Sequence, residues 1–362
     1  MSFDYSNDPA AYFQEPGPLA SVDLSGKFAR TGIGCYINAG QASAYVFAFA
    51  YTELVMGCAC NSSGIPGSLN RYLGMENLHT PGTGGLVFGV NSDLKYSIST
   101  VPDWIYVQTN GASGLPGHDI ELPVIATSGA YDYLEWDVVA SSSNSADIKV
   151  QINGFPVPNC WTGDGLSRDK TNVTIRSVST CYNPDHKYVD CFTKVLVEGG
   201  GLGYSNLFDD LYVNEVLATP NNSFAGPVRI YTTPPTGDGS PLAWSPSILG
   251  QPHYKMVAQI GSVNDAQNVT ASNNGDTDMY TFSTSGIPSS SKVIAIQATA
   301  RSFLTAAGSH GLKLVASFGE GDTNALSTSA KWYNFIWNDK GGTPFIVADI
   351  AANQFGQKIS DT

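Results

Sequence analysis

Apolar and polar residues alternate with a period of two along much of this chain, the pattern of a half-buried β-strand. In the clearest segment, 146–152, Asp147, Lys149 and Gln151 alternate with Ile and Val. That segment ends in Asn153-Gly154, a strong signal for a tight hairpin turn. Comparable segments recur between clusters of Gly, Asn, Asp and Ser. We therefore predict an all-β protein built from antiparallel sandwiches.

The same pattern places the individual strands, whereas a helical period is almost absent. The predicted strands of the N-terminal part are 85–90, 94–99, 133–139, 146–152, 173–178, 192–197 and 207–213. Those of the C-terminal part are 254–260, 278–283, 292–304, 311–318 and 331–337. An Ala-rich run over 346–354 predicts one short helix. In 133–139 we expect Glu135 and Asp137 on the solvent side, opposite Trp136.

Length and loop composition predict two domains. A chain of 362 residues is long for one sandwich and ample for two. The segment 219–223 has linker composition, and a second Pro/Gly-rich segment follows at 233–239. We therefore predict a first domain over 1–218 and a smaller second β-sandwich over 219–362. The first contains 10 basic and 22 acidic residues and the second 8 and 9, so only the second is near neutral and suited to packing against a partner.

Composition excludes several classes of protein. Charged residues make up only 14% of the chain and aromatic residues 11%, which argues against a disordered protein. The net charge of −13 disfavours binding to nucleic acid or to an anionic membrane surface. The longest apolar stretch, 44–60, is too short and too interrupted for a membrane span. The N-terminus lacks the pattern of a secretory signal, so we expect synthesis in a cytosol, with no signal-dependent export.

Three motifs in the predicted first domain carry a family resemblance. They are Tyr-Leu-Glu-Trp-Asp-Val-Val-Ala at 133–140, Ala-Asp-Ile-Lys-Val-Gln-Ile-Asn-Gly at 146–154, and Phe-Asp-Asp-Leu-Tyr-Val at 208–213. In this order they resemble the concanavalin A-like (laminin G-like) jelly roll of bacteriophage virion proteins. Motifs from 226 to 356 resemble the domain that follows that jelly roll in such proteins. The resemblance covers 85–362, and residues 1–80 match it poorly.

The resemblance implies a non-enzymatic virion structural protein of the tail, baseplate or fibre, assembled in the host cytoplasm. The implied partners are other virion proteins, further copies of the chain in a symmetric oligomer, and a glycan of the host surface. No cofactor, nucleic acid or membrane insertion is implied. The same features would serve a capsid decoration or head-fibre protein. The alternatives of another class are a carbohydrate-binding lectin module and a glycan depolymerase.

A hydrolytic site would need paired acids, and the sequence supplies only the first part of one signature. Glu135-Trp136-Asp137 matches the start of the glycosidase pattern of related jelly rolls. The second Glu would stand at Val139 or Ala140, so the general acid is missing. The histidines are scattered, and the Gly-rich segment 199–203 leads into a predicted strand, unlike a phosphate loop. We therefore predict no catalytic residues.

Three further groups of residues are candidates for binding. Asp209, in the last predicted strand of the first domain, is a candidate calcium ligand or a structural hydrogen-bond acceptor. Cys58 and Cys60 would share one face of a strand, as half of a metal site or as small core residues. Tyr333, Phe335 and Trp337 share one face of a predicted strand and are candidates for an interface, with core packing and sugar stacking as the other interpretations.

Overall fold

The computed structural model describes most of the chain from residue 130 onward and separate strands before it. The described residues are 21–23, 30, 35–39, 43–51, 53–62, 70–76, 85–90, 95–101, 120–125, 130–142, 145–157, 173–176, 192–197, 205–215, 223–259 and 263–361. Within them the chain divides into two compact units after Ile230. The predicted boundary at 218 therefore lies before this division, and residues 223–230 belong to the first unit.

The first unit consists of antiparallel strands. They are β1 (Ser21–Asp23), β2 (Cys35–Ala39), β3 (Ser43–Tyr51), β4 (Glu53–Ser62), β5 (Asn70–Glu76), β6 (Gly85–Val90), β7 (Lys95–Val101), β8 (Ile120–Ile125), β9 (Asp132–Ser142), β10 (Ser145–Ile152), β11 (Phe155–Pro156), β12 (Val173–Arg176), β13 (Phe192–Val197) and β14 (Ser205–Glu215). One sheet has the order β1-β2-β14-β4-β9-β10-β11, with β12 also paired to β10. The other has the order β3-β13-β5-β6-β7-β8.

The two sheets of the first unit enclose an apolar core, as the alternation predicts. Leu134, Trp136 and Val138 of β9 are buried, and the Trp136 ring lies 5.9 Å from that of Phe88 in the other sheet. The late strands β13 and β14 each lie between two early strands. Each sheet therefore contains pairs of strands that are distant in sequence. This is the predicted concanavalin A-like jelly-roll sandwich. The turn at Asn153-Gly154 has positive φ at both residues (54° and 80°), as the hairpin signal requires.

The second unit combines a six-stranded sheet with two short helices and two small sheets. Its elements are β15 (Pro235–Leu242), β16 (Ser245–Pro246), α1 (His253–Val257), β17 (Val269–Thr270), β18 (Thr277–Phe282), β19 (Ile296–Ser302), β20 (His310–Ala316), β21 (Gly319–Glu320), β22 (Asn324–Ala325), β23 (Lys331–Trp337), α2 (Val347–Ala352) and β24 (Phe355–Asp361). The large sheet has the order β15-β18-β24-β20-β21, with β22 on β20, while β16 pairs with β17 and β19 with β23. Helix α2 confirms the helix predicted over 346–354.

The core of the second unit lies between its large sheet and the β19–β23 ribbon. Leu312 and Leu314 of β20 and Phe355 of β24 pack with Trp337 of β23, whose ring lies 6.0 Å from that of Phe355. A second layer of β-structure therefore covers the sheet, as the predicted smaller sandwich requires. The strand predicted over 254–260 is wrong, because this segment begins with helix α1. That helix buries Met256 against the same core.

Candidate functional site

The face of β9 that carries Glu135 and Asp137 is the polar face of its sheet. Neighbouring strands place Gly57 opposite Glu135 on one side and Gln151 on the other. Lys149 lies opposite Asp137, and its Nζ is 3.0 Å from Asp137 Oδ2. The two acids of the glycosidase-like motif thus share one face, as their spacing predicts. The expectation that they face solvent is wrong, since Glu135 is fully buried and Asp137 is 8% exposed.

Glu135 is buried because a tyrosine and a later segment of chain cover it. Tyr212 lies beside Gly57 in the adjoining strand β14, and a Cβ built on Gly57 would stand 2.2 Å from its Cε1. The missing side chain at 57 therefore leaves room for the ring. The Tyr212 hydroxyl donates to Glu135 Oε1 over 2.5 Å. The backbone N–H of Gly226 donates to the same oxygen over 2.9 Å.

The segment around Gly226 is fixed to this face by more than one bond. The N–H of Ala225 donates to the hydroxyl of Tyr212 over 3.1 Å. A Cβ on Gly154 would lie 3.0 Å from Cδ of Pro227, so the β10–β11 hairpin turn closely approaches the same segment. Desolvation raises the pKa of Glu135, opposed by the hydrogen bonds that it accepts. Its other oxygen, Oε2, accepts no hydrogen bond within the described part of the chain.

Asp209 and Asp210 lie where β14 leaves the regular ladder. The register shifts between Asp209 and Tyr212, and Asp210 has a φ of +52°. This break in alternation buries both carboxylates completely, where a regular strand would bury only one. Asp209 Oδ2 accepts the backbone N–H of Arg30 over 2.8 Å, and Oδ1 accepts that of Asp210 over 2.8 Å. Asp209, the calcium candidate, is therefore placed as a hydrogen-bond acceptor for backbone groups.

Arg30 binds both Asp210 and the segment that covers Glu135, which we call the covering segment (residues 225–230). Its guanidinium forms an ion pair with Asp210 Oδ2, and Nη1 also donates to the carbonyl of Val228 over 2.9 Å. Asp210 Oδ1 accepts the N–H of Ile230 over 2.8 Å. The Tyr133 hydroxyl donates to the Asp210 carbonyl over 3.1 Å, and the guanidinium lies 4.9 Å from the Tyr133 ring centre. Glu135, Asp209 and Asp210 thus all bind groups of the protein itself.

Glu53 extends the acidic row beyond Asp137. Burial and the neighbouring carboxylate of Asp137 raise the pKa of Glu53, and Lys149 partly offsets this effect. Asp137 Oδ1 has no hydrogen-bond donor in the described part of the chain. No group of three or more His, Cys, Asp or Glu side chains among the described residues is arranged to hold a metal ion. The row therefore offers one ammonium-paired carboxylate and two acids whose pKa values burial raises.

The second unit contains a separate buried polar cluster around Asp278. Asp278 is fully buried, and its Oδ1 accepts the backbone N–H of Trp244 over 2.9 Å. Its Oδ2 lies 2.7 Å from Nδ1 of His253 and 3.2 Å from the hydroxyl of Tyr280. Burial and the negative charge of Asp278 raise the pKa of Tyr280. Sequence reasoning missed this cluster, because the strand predicted over 254–260 gave no reason to bring His253 to β18.

The remaining sequence candidates lie in apolar cores. Cys58 and Cys60 are free and fully or almost fully buried in β4, and desolvation raises the pKa of the Cys60 thiol well above its usual range. They are placed as small core residues. Trp337 is 7% exposed, with the Phe335 ring 5.0 Å away, and Phe335 and Tyr333 pack on the core of the second unit. These three residues therefore contribute to the core of the second unit, one of the interpretations of this face, and an interface role stays a prediction.

Some titratable and Gly-rich parts of the chain lie outside the described residues. They include the N-terminal residues 1–20, His118, the Gly-rich segment 199–203, and the cysteines at 160, 181 and 191. In the part of the chain that is described, no helix combines the length and the apolar composition needed to cross a membrane.

Comparison with known proteins finds remote similarity to solved structures. Neither protein-family models nor curated proteins match the chain. Among solved structures, it is similar to an endo-β-1,4-glucuronan lyase from the fungus Trichoderma reesei, at 11% identity and a TM-score of 0.36, covering 59% of this chain and 96% of the other. It is also similar to the PL-14 alginate lyase from Aplysia kurodai, at 10% identity and 0.33, covering 59% and 99%. The carbohydrate-binding module CBM66 from Bacillus subtilis follows, at 9% and 0.28, covering 52% and 89%.

Proposed function

We propose that this protein is a non-enzymatic structural component of a bacteriophage virion, in the tail, baseplate or fibre. The phage assignment rests on the ordered motifs of 133–140, 146–154 and 208–213, which resemble virion jelly rolls. These motifs correspond to β9, to the β10 hairpin and to β14, which all belong to one sheet. Their shared position supports treating them as one structural signature instead of three unrelated matches.

The proposal that the protein is not an enzyme rests on one observation: its acidic side chains are buried and bind groups of the protein itself. A glycosidase needs one carboxyl group to reach the sugar and a second to protonate or activate the leaving or attacking oxygen. Glu135 is fully buried, and Tyr212 and Gly226 occupy its Oε1. Asp210 is fully buried and bound to Arg30 and Ile230. These acids hold the covering segment in place, which is a structural role.

In this proposal the two units act through shape and surface. The first unit presents loops on a rigid sandwich, and the acidic composition of its part of the chain keeps it soluble. The near-neutral C-terminal part packs against other virion proteins or further copies of the chain, because few charges must lose water there. Contact with a host glycan is compatible with either unit.

The experiment is immunogold electron microscopy of phage particles with antibodies against the second unit. The proposal predicts regular labelling at the tail, baseplate or fibre. Labelling restricted to the head would instead support the decoration or head-fibre alternative. Unlabelled particles, with the protein found only in the lysate, would contradict a virion role. Release of reducing sugar from host polysaccharide by the purified chain, lost in Glu135→Gln, would contradict the non-enzymatic assignment.

A further inference from the structure

We propose that the outer face of the β19–β23 ribbon binds a neutral oligosaccharide. This inference is independent of the virion assignment, because it would hold equally for a free lectin. The two strands pair over seven consecutive positions without a register shift, from Ile296 opposite Trp337 to Ser302 opposite Lys331. One face of the ribbon covers the core of the second unit. The opposite face is the proposed site.

The proposed face combines the side chains that sugars are recognised by. It consists of three cross-strand pairs: Arg301 with Trp332, Thr299 with Asn334, and Gln297 with Ile336. The four residues of the last two pairs are exposed, and Arg301 and Trp332 are half-buried. An indole ring and an aliphatic side chain can contact the apolar C–H surface of a sugar. The amides and the hydroxyl supply both donors and acceptors for sugar hydroxyl groups.

The aromatic end of this face is held in place before any ligand binds. Arg301 Nε and Nη2 donate to the two oxygens of Asp265, both over 3.0 Å. This paired geometry fixes the guanidinium plane. The guanidinium carbon lies 5.9 Å from the centre of the Trp332 ring. A ligand would therefore meet a ring whose position is already restrained, which lowers the entropy cost of binding.

The charges on this face favour a neutral ligand. Arg301 is the only charged residue among the six, and Asp265 neutralises it. The paired Arg301 also holds the pKa of Asp265 below its usual range, so the two charges persist together at neutral pH. An anionic glycan would gain little from a neutralised guanidinium. It would also meet the carboxylate of Asp265, whose side chain is 46% exposed.

The dimensions of the face indicate a short chain of sugars instead of a single ring. Positions 332, 334 and 336 are separated by two residues each, so the row spans about 13 Å at about 3.3 Å per residue. No bulge interrupts the ribbon over this distance. A linear oligosaccharide could therefore place one ring on Trp332 and further units along Asn334 and Ile336.

The test is binding of the full chain to an array of neutral and anionic glycans, followed by titration of each hit. We expect at least one neutral oligosaccharide to bind, with affinity reduced about tenfold or more in Trp332→Ala. Trp332→Phe should retain most of the affinity, since a ring remains. Asn334→Ala, at an exposed position that does not support the core, should weaken binding severalfold while leaving the unfolding temperature unchanged. It keeps the test valid if Trp332→Ala fails to fold.

The control is Leu249→Ser, which removes a side chain that is 97% exposed in the same unit but lies outside the ribbon. It should leave glycan affinity unchanged. The proposal would be overturned by three results: no glycan bound by the wild-type chain, binding unaffected by both Trp332→Ala and Asn334→Ala, or binding confined to anionic glycans. None of these results bears on whether the protein is part of a particle.

Discussion

Glu135 illustrates how the surroundings of a residue decide its role. On the sequence it begins a catalytic signature, yet in the structure it accepts hydrogen bonds from Tyr212 and Gly226 and is closed off from solvent. The space for Tyr212 comes from Gly57, and the cover comes from a segment about 90 residues later in the chain. Its burial could not be predicted from 133–139, because the covering groups lie in other parts of the sequence.

The raised pKa of Glu135 predicts how its replacement changes stability with pH. Because its folded pKa lies above its unfolded value, the folded state holds this proton more tightly, and stability falls as pH rises through that interval. Glu135→Gln cannot ionise, so its free energy of unfolding should increase relative to that of wild type as the pH rises above the pKa of an unfolded glutamate. Urea unfolding of both proteins at several pH values measures this difference.

Glu320→Gln is a control whose stability relative to wild type should change with pH in the opposite direction. Lys358 and Lys313 lower the pKa of Glu320, so its contribution to stability is present above its unfolded pKa and is lost as pH falls through the folded one. The Glu320 variant should therefore lose relative stability as pH rises, by a small amount because the side chain is 43% exposed. A relative stability of Glu135→Gln that declines toward neutral pH would contradict our account of Glu135.

Removal of the Asp278 carboxylate should strongly lower the stability of the second unit. Its removal in Asp278→Ala leaves His253, Tyr280 and the N–H of Trp244 without their acceptor in a buried site. We expect a loss of about 3 kcal/mol or more in the free energy of unfolding. Asp361→Ala is the matched control, since its pair with His310 is exposed, and it should cost less than about 1 kcal/mol. Similar losses in the two variants would show that the Asp278 cluster is not structural.

Among the secondary-structure elements, the strands were predicted best, by the alternation of apolar and polar residues with a period of two. It placed β6, β13 and β23 at their observed bounds and separated the apolar from the acidic residues of β9, but it did not predict that the acidic face is covered. It failed at β14, where the bulge and the positive φ of Asp210 break the alternation. It also missed helix α1, whose five residues are too few to show a helical period. The backbone N–H groups of His253 and Tyr254, in the first turn of that helix, donate hydrogen bonds to the carboxylate of Asp238, which lies 15 positions before His253.

Strand β23 also yields a prediction, because its two faces have opposite environments. Trp337→Ala removes a buried ring from the core of the second unit and should cost about 3 to 5 kcal/mol. Ile336→Ala, one position away on the outer face, is 48% exposed and should change stability by no more than about 0.5 kcal/mol. Thermal unfolding of both variants measures this contrast. A stable Trp337→Ala protein that no longer forms oligomers would contradict the core assignment and support the interface interpretation.

At the scale of the whole molecule, the sequence predicts the class of fold better than it predicts the site. Two β-sandwich units follow from alternation, length and loop composition, all of which are properties of local sequence. The candidate site depends on contacts between distant segments, such as Arg30 with Asp210 and Tyr212 with Glu135. The division of the chain shows the same limit. Residues 223–230 have loop composition, yet their backbone hydrogen bonds tie them to the first unit.

Our main proposal is that this chain is a structural component of a bacteriophage particle. Quantitative mass spectrometry of highly purified phage particles tests it most directly, by comparing the copy number of this chain with those of the major head and tail proteins. We predict a fixed copy number, the same in independent preparations, that matches a symmetric assembly of the tail, baseplate or fibre. A chain that is absent from purified particles, or present in traces that decline with each purification step, would contradict the claim.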